Sequence, residues 1–397
     1  MSDAKPAPVI VIPGFGQSKA ALYENGKFSR QVWPLKFDVK EMAKKIIKPY
    51  LKTVLMRKDK GFTDTAYKMY NEAFEPFSYN ADGTIKHDLR AVETKEPLSE
   101  MPPKVNGYVH KLVPINELEK RIGAENIYFF AYNAFSSPFD TAERLNAFIE
   151  EIKTKRGVEK VSFFAFSMGG AVVTAYFDLF GDKNDIKKVF FLNSALDGSV
   201  LQADIMDNHI DKNEGYSLLG FISNGDTVKA FKRALAFTTW DVRYKLLYRS
   251  LDAVRDTVFL NSPGMWALMP TEKYEYLAEK FISDPSHAEL KKITDRFFES
   301  QKNVRNILTR QKEKGTEIHI CAGYGLHIMP LSASQDISTD GILPLSSASL
   351  GARAEFGGEP DTSGVLFKDS TYLFENAAHS GGVRDERIQK LAADCLG

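Results

Sequence analysis

The spacing of apolar and polar positions changes several times along the chain, and each change marks an element. The β-branched run at 9–12, VIVI, predicts a strand entering the loop Pro13-Gly14-Phe15-Gly16. Residues 17–107 are mixed. Within them, 39–55 has helical periodicity, whereas 79–103 is polar, is punctuated by ADG and MPP, and reads as loop with a hairpin. Residues 115–122 predict a helix and 126–132, NIYFFAY, a second buried strand. Ala142, Leu145, Phe148, Ile149 and Ile152 recur at helical spacing within 141–155. A strand at 161–166 and a helix at 171–179 follow, then strands at 188–193, 318–322 and 371–375 and a C-terminal helix at 385–391.

Strands alternating with helices predict an α/β fold with a mostly parallel central sheet flanked by helices. The stretch between strands 188–193 and 318–322 is too long for one connection. It carries amphipathic pieces at 228–237, 242–251, 275–281 and 287–301, which predict an inserted helical cap. The expected organisation is a core over 1–199 with an irregular region at 17–107, a cap over 200–316, and the rest of the core over 317–397. A chain of 397 residues is long enough for this.

The run 161–180, VSFFAFSMGGAVVTAYFDLF, is long and apolar enough to suggest a membrane span, but Ser-Met-Gly-Gly splits it into a strand-length half and a helical half. The 52 basic and 52 acidic residues are interspersed, with no nucleic-acid stripe and no polybasic membrane patch expected. Two cysteines, Cys321 and Cys395, exclude a disulfide framework, and Cys321 in HICAGYG reads as an inert core thiol. The start MSDAKPAPVIVIPGFG lacks the basic and apolar regions of a signal peptide. It fits a cytoplasmic protein, or an extracytoplasmic one without its leader.

The break in the apolar run has a chemical reading. A strand that ends in small-x-Ser-x-Gly and turns at once into a helix is a nucleophile elbow. The turn is so tight that the residues two before and two after the serine must be small, and here they are Ala165 and Gly169. The geometry lifts the Ser167 hydroxyl above the sheet, near the free N–H groups of the helix start. A nucleophilic serine needs a base, and the base needs an orienting acid. With this elbow the chain order is serine, acid, histidine. Of seven histidines, His379 in FENAAHSGG follows a predicted strand and precedes the last helix. His327 comes before any plausible acid, and His319 lies inside a strand. Asp340, in the turn Asp340-Gly341 of STDGILPLSSA, is preferred as the acid to Asp336, Asp361 and Asp369, which read as turn formers or solvated loop residues. Two backbone N–H groups are needed for an oxyanion hole. They are expected from Met168, after the nucleophile, and from Phe15 in the first strand–loop junction.

The segments VIPGFGQS, FAFSMGGAVV, TDGILPLSSA and AAHSGG stand in an order that resembles the lecithin:cholesterol acyltransferase-like lipases and phospholipases of the α/β-hydrolase superfamily. AYNAFSSPFDTAERLNAFIEEI and NSPGMWALMP are similar to further segments of that family. There are departures. Tyr132-Asn133-Ala134-Phe135 stands where the family has Tyr-Asp-Trp-Arg, and Ala165-Phe166-Ser167 where it has Gly-His-Ser. The cysteine pairs of its secreted animal members are absent. The resemblance implies an α/β-hydrolase fold and hydrolysis of an apolar acyl ester, with acyl transfer or phospholipase A action as alternatives on the same triad. A peptidase or amidase, or a non-catalytic binding module, is the more distant alternative. Phe166 beside the serine, and Met265, Trp266 and Met269 in the cap segment SPGMWALMP, are the expected apolar wall for an acyl chain. The expected chemistry needs no metal and no cofactor. The expected partner is a small-molecule or lipid ester, with transient lipid-interface contact and no nucleic acid.

Overall fold

The computed structural model describes residues 6–35, 39–211, 229 and 232–397. Its central sheet has the order β5-β1-β6-β7-β8-β9. The strands are β1 (Val9–Ile12), β5 (Ile127–Phe129), β6 (Val161–Phe166), β7 (Ile186–Leu192), β8 (Glu317–Tyr324) and β9 (Thr371–Glu375). Every pairing in it is parallel, with Ile12 opposite Ala165, Phe166 opposite Leu192, and Leu192 opposite Cys321.

The apolar run of β1, and that of β6 broken only by the buried Ser162, follow from burial on both faces. Alternate residues serve alternate layers. Ile10, Ile12, Phe163, Ala165, Val189 and Phe191 point into one core, shared with α5 (Pro138–Arg156) and α6 (Gly169–Phe180). Val9, Val11, Phe164, Phe166, Phe190 and Leu192 point into the other, shared with α4 (Asn116–Ile122) and the C-terminal helix Glu386–Leu396. β5 is shorter than NIYFFAY suggested. Past Phe130 the backbone leaves the sheet: Tyr132 N–H donates to Ser18 Oγ at 3.1 Å and its hydroxyl to the Pro13 carbonyl at 2.7 Å. These bonds tie it to the loop after β1.

The region 17–107 is more ordered than its sequence suggested. β2 (Ala20–Glu24), β3 (Lys27–Trp33) and β4 (Leu89–Ala91) form an antiparallel sheet of order β3-β2-β4. Asn25 and Gly26, both at positive φ (51° and 75°), make the β2–β3 turn, as Asn-Gly does in two-residue hairpins. The expected hairpin within 79–103 is a single antiparallel bridge, Tyr79 to Ile85. α1 (Val39–Met56) and α2 (Phe62–Phe74) follow β3, and α3 (Pro103–Leu112) precedes α4.

The described part of 200–316 is helical, while the expected piece 228–237 lies partly outside the described residues. Helix Trp240–Val254 packs on α2, with Phe62, Ala66, Val242 and Leu246 in one cluster. Helices Val200–Asp207 and Thr271–Ile282 share a small core with Trp266 and Met269. Helix Ala288–Lys302 bridges two layers, with Leu290 and Phe298 in that small core, and Val304–Glu313 follows it. Phe297, Val304, Ile307 and Leu308 join the sheet core beside α6, and Ser300 Oγ donates to Asp178 at 2.8 Å. They cover the sheet and lead into β8.

β8 also carries His319. Both its ring nitrogens are buried without a hydrogen-bond partner, the ring stacks on Tyr372 at 6.3 Å, and Glu317 lies 4.0 Å from Nε2. Burial, only partly opposed by Glu317, lowers its pKa from the ordinary 6.5. The unfolded chain therefore takes up this proton at a higher pH than the fold does. Stability from this site is intact above the unfolded value and is lost as pH falls below it. We expect the melting temperature to drop more between pH 7.5 and pH 5.5 for wild type than for His319→Phe, at about these pH values chosen to bracket the histidine range. Parallel pH profiles in calorimetry would contradict this.

Candidate active site

β6 ends at Phe166, and α6 begins at Gly169. Ser167 between them has φ 54°, a left-handed conformation that costs a residue with a Cβ and persists only where its surroundings impose it. Those surroundings are specific. Ser167 N–H donates to the Leu192 carbonyl at 3.2 Å, and its own carbonyl accepts from Gly170 at 3.0 Å and Ala195 at 2.9 Å. The two glycines after the serine each answer a contact. A Cβ on Gly169 would stand 2.3 Å from the Ile12 carbonyl oxygen, and one on Gly170 would stand 2.7 Å from Ser194 Cβ. These two glycines let α6 start directly against β1 and the loop after β7.

The structure brings Ser167, His379 and Asp340 into one line. His379 Nε2 is 2.9 Å from Ser167 Oγ, and His379 Nδ1 is 2.7 Å from Asp340 Oδ2. Asp340 is 1 % exposed. Its other oxygen, Oδ1, accepts from the N–H groups of Ile342 at 2.9 Å and Leu343 at 2.8 Å, so the turn that follows the aspartate orients it. The two loops are joined again through the backbone, where His379 N–H donates to the Asp340 carbonyl at 2.7 Å. Phe166 packs beside the imidazole, with ring centroids 5.1 Å apart. The other candidates lie apart. His327 stacks on Phe356, and Asp361 turns back onto Ser363. Cys321 is buried and free, its thiol pushed up by burial, as an inert core residue should be.

Asn193 was not singled out from the sequence. It is buried at the end of β7 with φ 42°. Its Nδ2 donates to the His379 carbonyl at 3.0 Å and its Oδ1 accepts from Gly323 N–H at 2.8 Å. It thus ties the histidine loop to the ends of β7 and β8. The only sequence signal was an asparagine closing an apolar strand, since its partners are all backbone groups.

The loop after β1 faces the serine. Gly14 is so close that a Cβ there would stand 2.7 Å from Ser167 Cβ and 3.1 Å from Oγ. Gln17, also missed, holds the loop from within: its Oε1 accepts from Gly14 N–H at 2.7 Å and its Nε2 donates to the Leu112 carbonyl at 3.1 Å. The Trp33 indole N–H donates to the Gly16 carbonyl at 2.5 Å. Among the described residues, the N–H groups of Phe15 and Met168 donate to no protein acceptor. We expect Gly14→Ala to lower kcat/KM on nitrophenyl acetate by about 10²-fold or more, because the methyl must displace the loop from the serine. Its melting temperature should change little. Near-wild-type kinetics would mean that this loop does not border the reacting groups.

Met265, Trp266 and Met269 are packed in the interior. Pro263–Trp266 is a single helical turn docked on the loop before α5. Ser262 Oγ donates to the Phe135 carbonyl at 2.8 Å, Gly264 N–H donates to the same oxygen at 3.0 Å, and a Cβ on Gly264 would meet the Ala134 oxygen at 2.1 Å. Trp266 is 2 % exposed, donates its indole N–H to the Leu260 carbonyl at 2.7 Å and packs edge-on against Tyr274. We expect Trp266→Ala to destabilise the protein by about 3–5 kcal/mol and to lower kcat/KM equally for acetate and long-chain esters. A loss confined to long chains would place Trp266 on the substrate wall.

No family model matches the chain, and no curated protein matches it. Among solved structures it is similar to the mature form of the lipase BlEst2 from Bacillus licheniformis, at 12 % identity and TM-score 0.34, over 71 % of this chain and 84 % of that one. It is also similar to the phospholipase PlaB from Legionella pneumophila, at 15 % identity and TM-score 0.30, over 65 % of this chain and 43 % of that one, so it spans less than half of PlaB. The parallel order β5-β1-β6-β7-β8-β9, helices on both faces and a left-handed Ser167 between β6 and α6 make this an α/β-hydrolase fold.

Proposed function

We propose that the protein is a serine carboxylic-ester hydrolase acting on apolar acyl esters through an acyl-enzyme. The observation that carries this reading is the unbroken hydrogen-bonded line from Ser167 Oγ through His379 to Asp340. His379 Nε2 takes the Ser167 proton as Oγ attacks the ester carbonyl, while Asp340 holds Nδ1–H and stabilises the imidazolium. The carbonyl oxygen becomes an oxyanion, received by the N–H groups of Phe15 and Met168. Collapse breaks the C–O bond, and the imidazolium proton leaves with the alcohol. Water, deprotonated by the same Nε2, then attacks the acyl-enzyme. The acid departs and the proton returns to Ser167.

The aromatic setting supports an apolar substrate. Phe15 packs edge-on against Phe135 at 5.5 Å. A narrow recess beside it is lined by Trp33, Phe77, Tyr132 and Ala134 among others. The recess is only about 20 Å³, room for one water-sized group, so it makes the surroundings of the Phe15 loop apolar without holding an acyl chain. The lecithin:cholesterol acyltransferase-like resemblance rests on its four sequence segments. A series of nitrophenyl esters from acetate upward, run with and without dilute alcohol, tests the proposal. Hydrolysis that grows with chain length is expected, with free acid as the main product. Transfer product exceeding free acid would make the protein an acyltransferase, and cleavage of aminoacyl amides in preference to esters would overturn the reading.

A further inference from the structure

α1 turns one side to the protein and leaves the other bare. Ile46 and Tyr50 pack against the cluster of Phe62, Ala66, Leu235, Val242 and Leu246. On the opposite side Ile47, Leu51 and Leu55, four residues apart and so aligned on one stripe, are more than half exposed, Leu55 at 81 %. Met56 is exposed beside them. Single exposed apolar residues need no explanation, but an aligned row of large ones does. The row is bordered by lysines. Lys44 and Lys45 have carboxylate partners in Glu41 and Glu72, whereas Lys48 and Lys52 have none among the described residues. The helix carries five lysines and one glutamate in a chain whose formal net charge is zero. Phe237 and Trp240, which follow the segment that Tyr50 holds, are exposed as well. The Tyr50 hydroxyl, donating to the Ala234 carbonyl at 2.8 Å, holds that segment against α1.

We propose that this face of α1 docks on an anionic lipid surface, with Ile47, Leu51 and Leu55 entering the interface and Lys48 and Lys52 meeting lipid phosphates. The alternation of apolar and cationic positions is what such a surface selects. Charge also decides against the obvious rival. A second copy of this face would bring lysines against lysines in a two-fold contact, whereas an anionic surface neutralises them. No helix among the described residues is long and apolar enough to cross a membrane, so the contact is peripheral. The proposal does not depend on the ester chemistry.

The test is cosedimentation of the full chain with vesicles of equal parts phosphatidylglycerol and phosphatidylcholine, and with phosphatidylcholine alone. Wild type should bind the anionic vesicles about tenfold or more tightly than the neutral ones, and added salt should weaken that binding. Leu51→Asp with Leu55→Asp should abolish binding. Lys48→Gln with Lys52→Gln should weaken only the anionic binding, by about tenfold. All changes are at exposed positions, and unchanged melting curves check that each variant is folded. Absence of wild-type binding, or equal binding by the variants, would overturn the proposal. So would a dimer that the leucine variant dissolves, because the face would then serve a second copy.

Discussion

Ser167→Ala should abolish ester hydrolysis, by about 10⁴-fold or more in kcat, and leave the melting curve close to that of wild type. The hydroxyl is the only group removed, and the elbow is held by backbone bonds to Leu192, Gly170 and Ala195 that alanine retains. The nearest other serine at the elbow, Ser194, cannot substitute, because its hydroxyl is committed to the Ala165 carbonyl at 3.0 Å. The check is steady-state kinetics on a short nitrophenyl ester beside a thermal melt. Activity within tenfold of wild type would remove Ser167 from the mechanism.

Asp340→Asn should cost nearly as much, about 10⁴-fold in kcat, without unfolding the turn. An asparagine oxygen can still accept from Ile342 and Leu343 as Asp340 Oδ1 does. The amide then faces His379 Nδ1 at the 2.7 Å position of Oδ2. It donates, so Nδ1 must accept, and the ring proton moves to Nε2. A histidine in that tautomer cannot take a proton from the serine. KM should change far less than kcat, since no substrate contact is lost. Asp361→Asn serves as the control, because Asp361 only caps the turn at Ser363. A large loss there and none at Asp340 would reverse the assignment.

The elements that position these residues were legible because their environment leaves a mark. Strands buried on both faces read as nearly unbroken apolar runs, as in VSFFAF, and the nucleophilic candidate Ser167 follows one of them. Histidine and aspartate followed from chain order and from the strands and turns around them. The antiparallel sheet of β2, β3 and β4 was not legible from hydrophobicity. β3, KFSRQVW, is exposed along most of its length, so no apolar alternation betrays it, although Asn25-Gly26 was a turn signal in plain view. Asn193 and Gln17 escaped because they act through backbone groups distant in sequence, and a single chain holds no pattern for such partners. The cap segment SPGMWALMP was readable as apolar but not as to which side it faced. Gly264 decides that by its contact with the Ala134 backbone, and no local rule announces a contact across 130 residues (a span of about that length, beyond any helical or strand period).

The central claim is that Ser167 is a nucleophile activated by His379. The most direct measurement is the intact mass of the protein after exposure to a fluorophosphonate, which phosphonylates only an activated serine. Wild type should gain one adduct, peptide mapping should place it on Ser167, and Ser167→Ala should gain none. Equal labelling of Ser167→Ala, or no labelling of a wild-type protein that hydrolyses esters, would contradict the account.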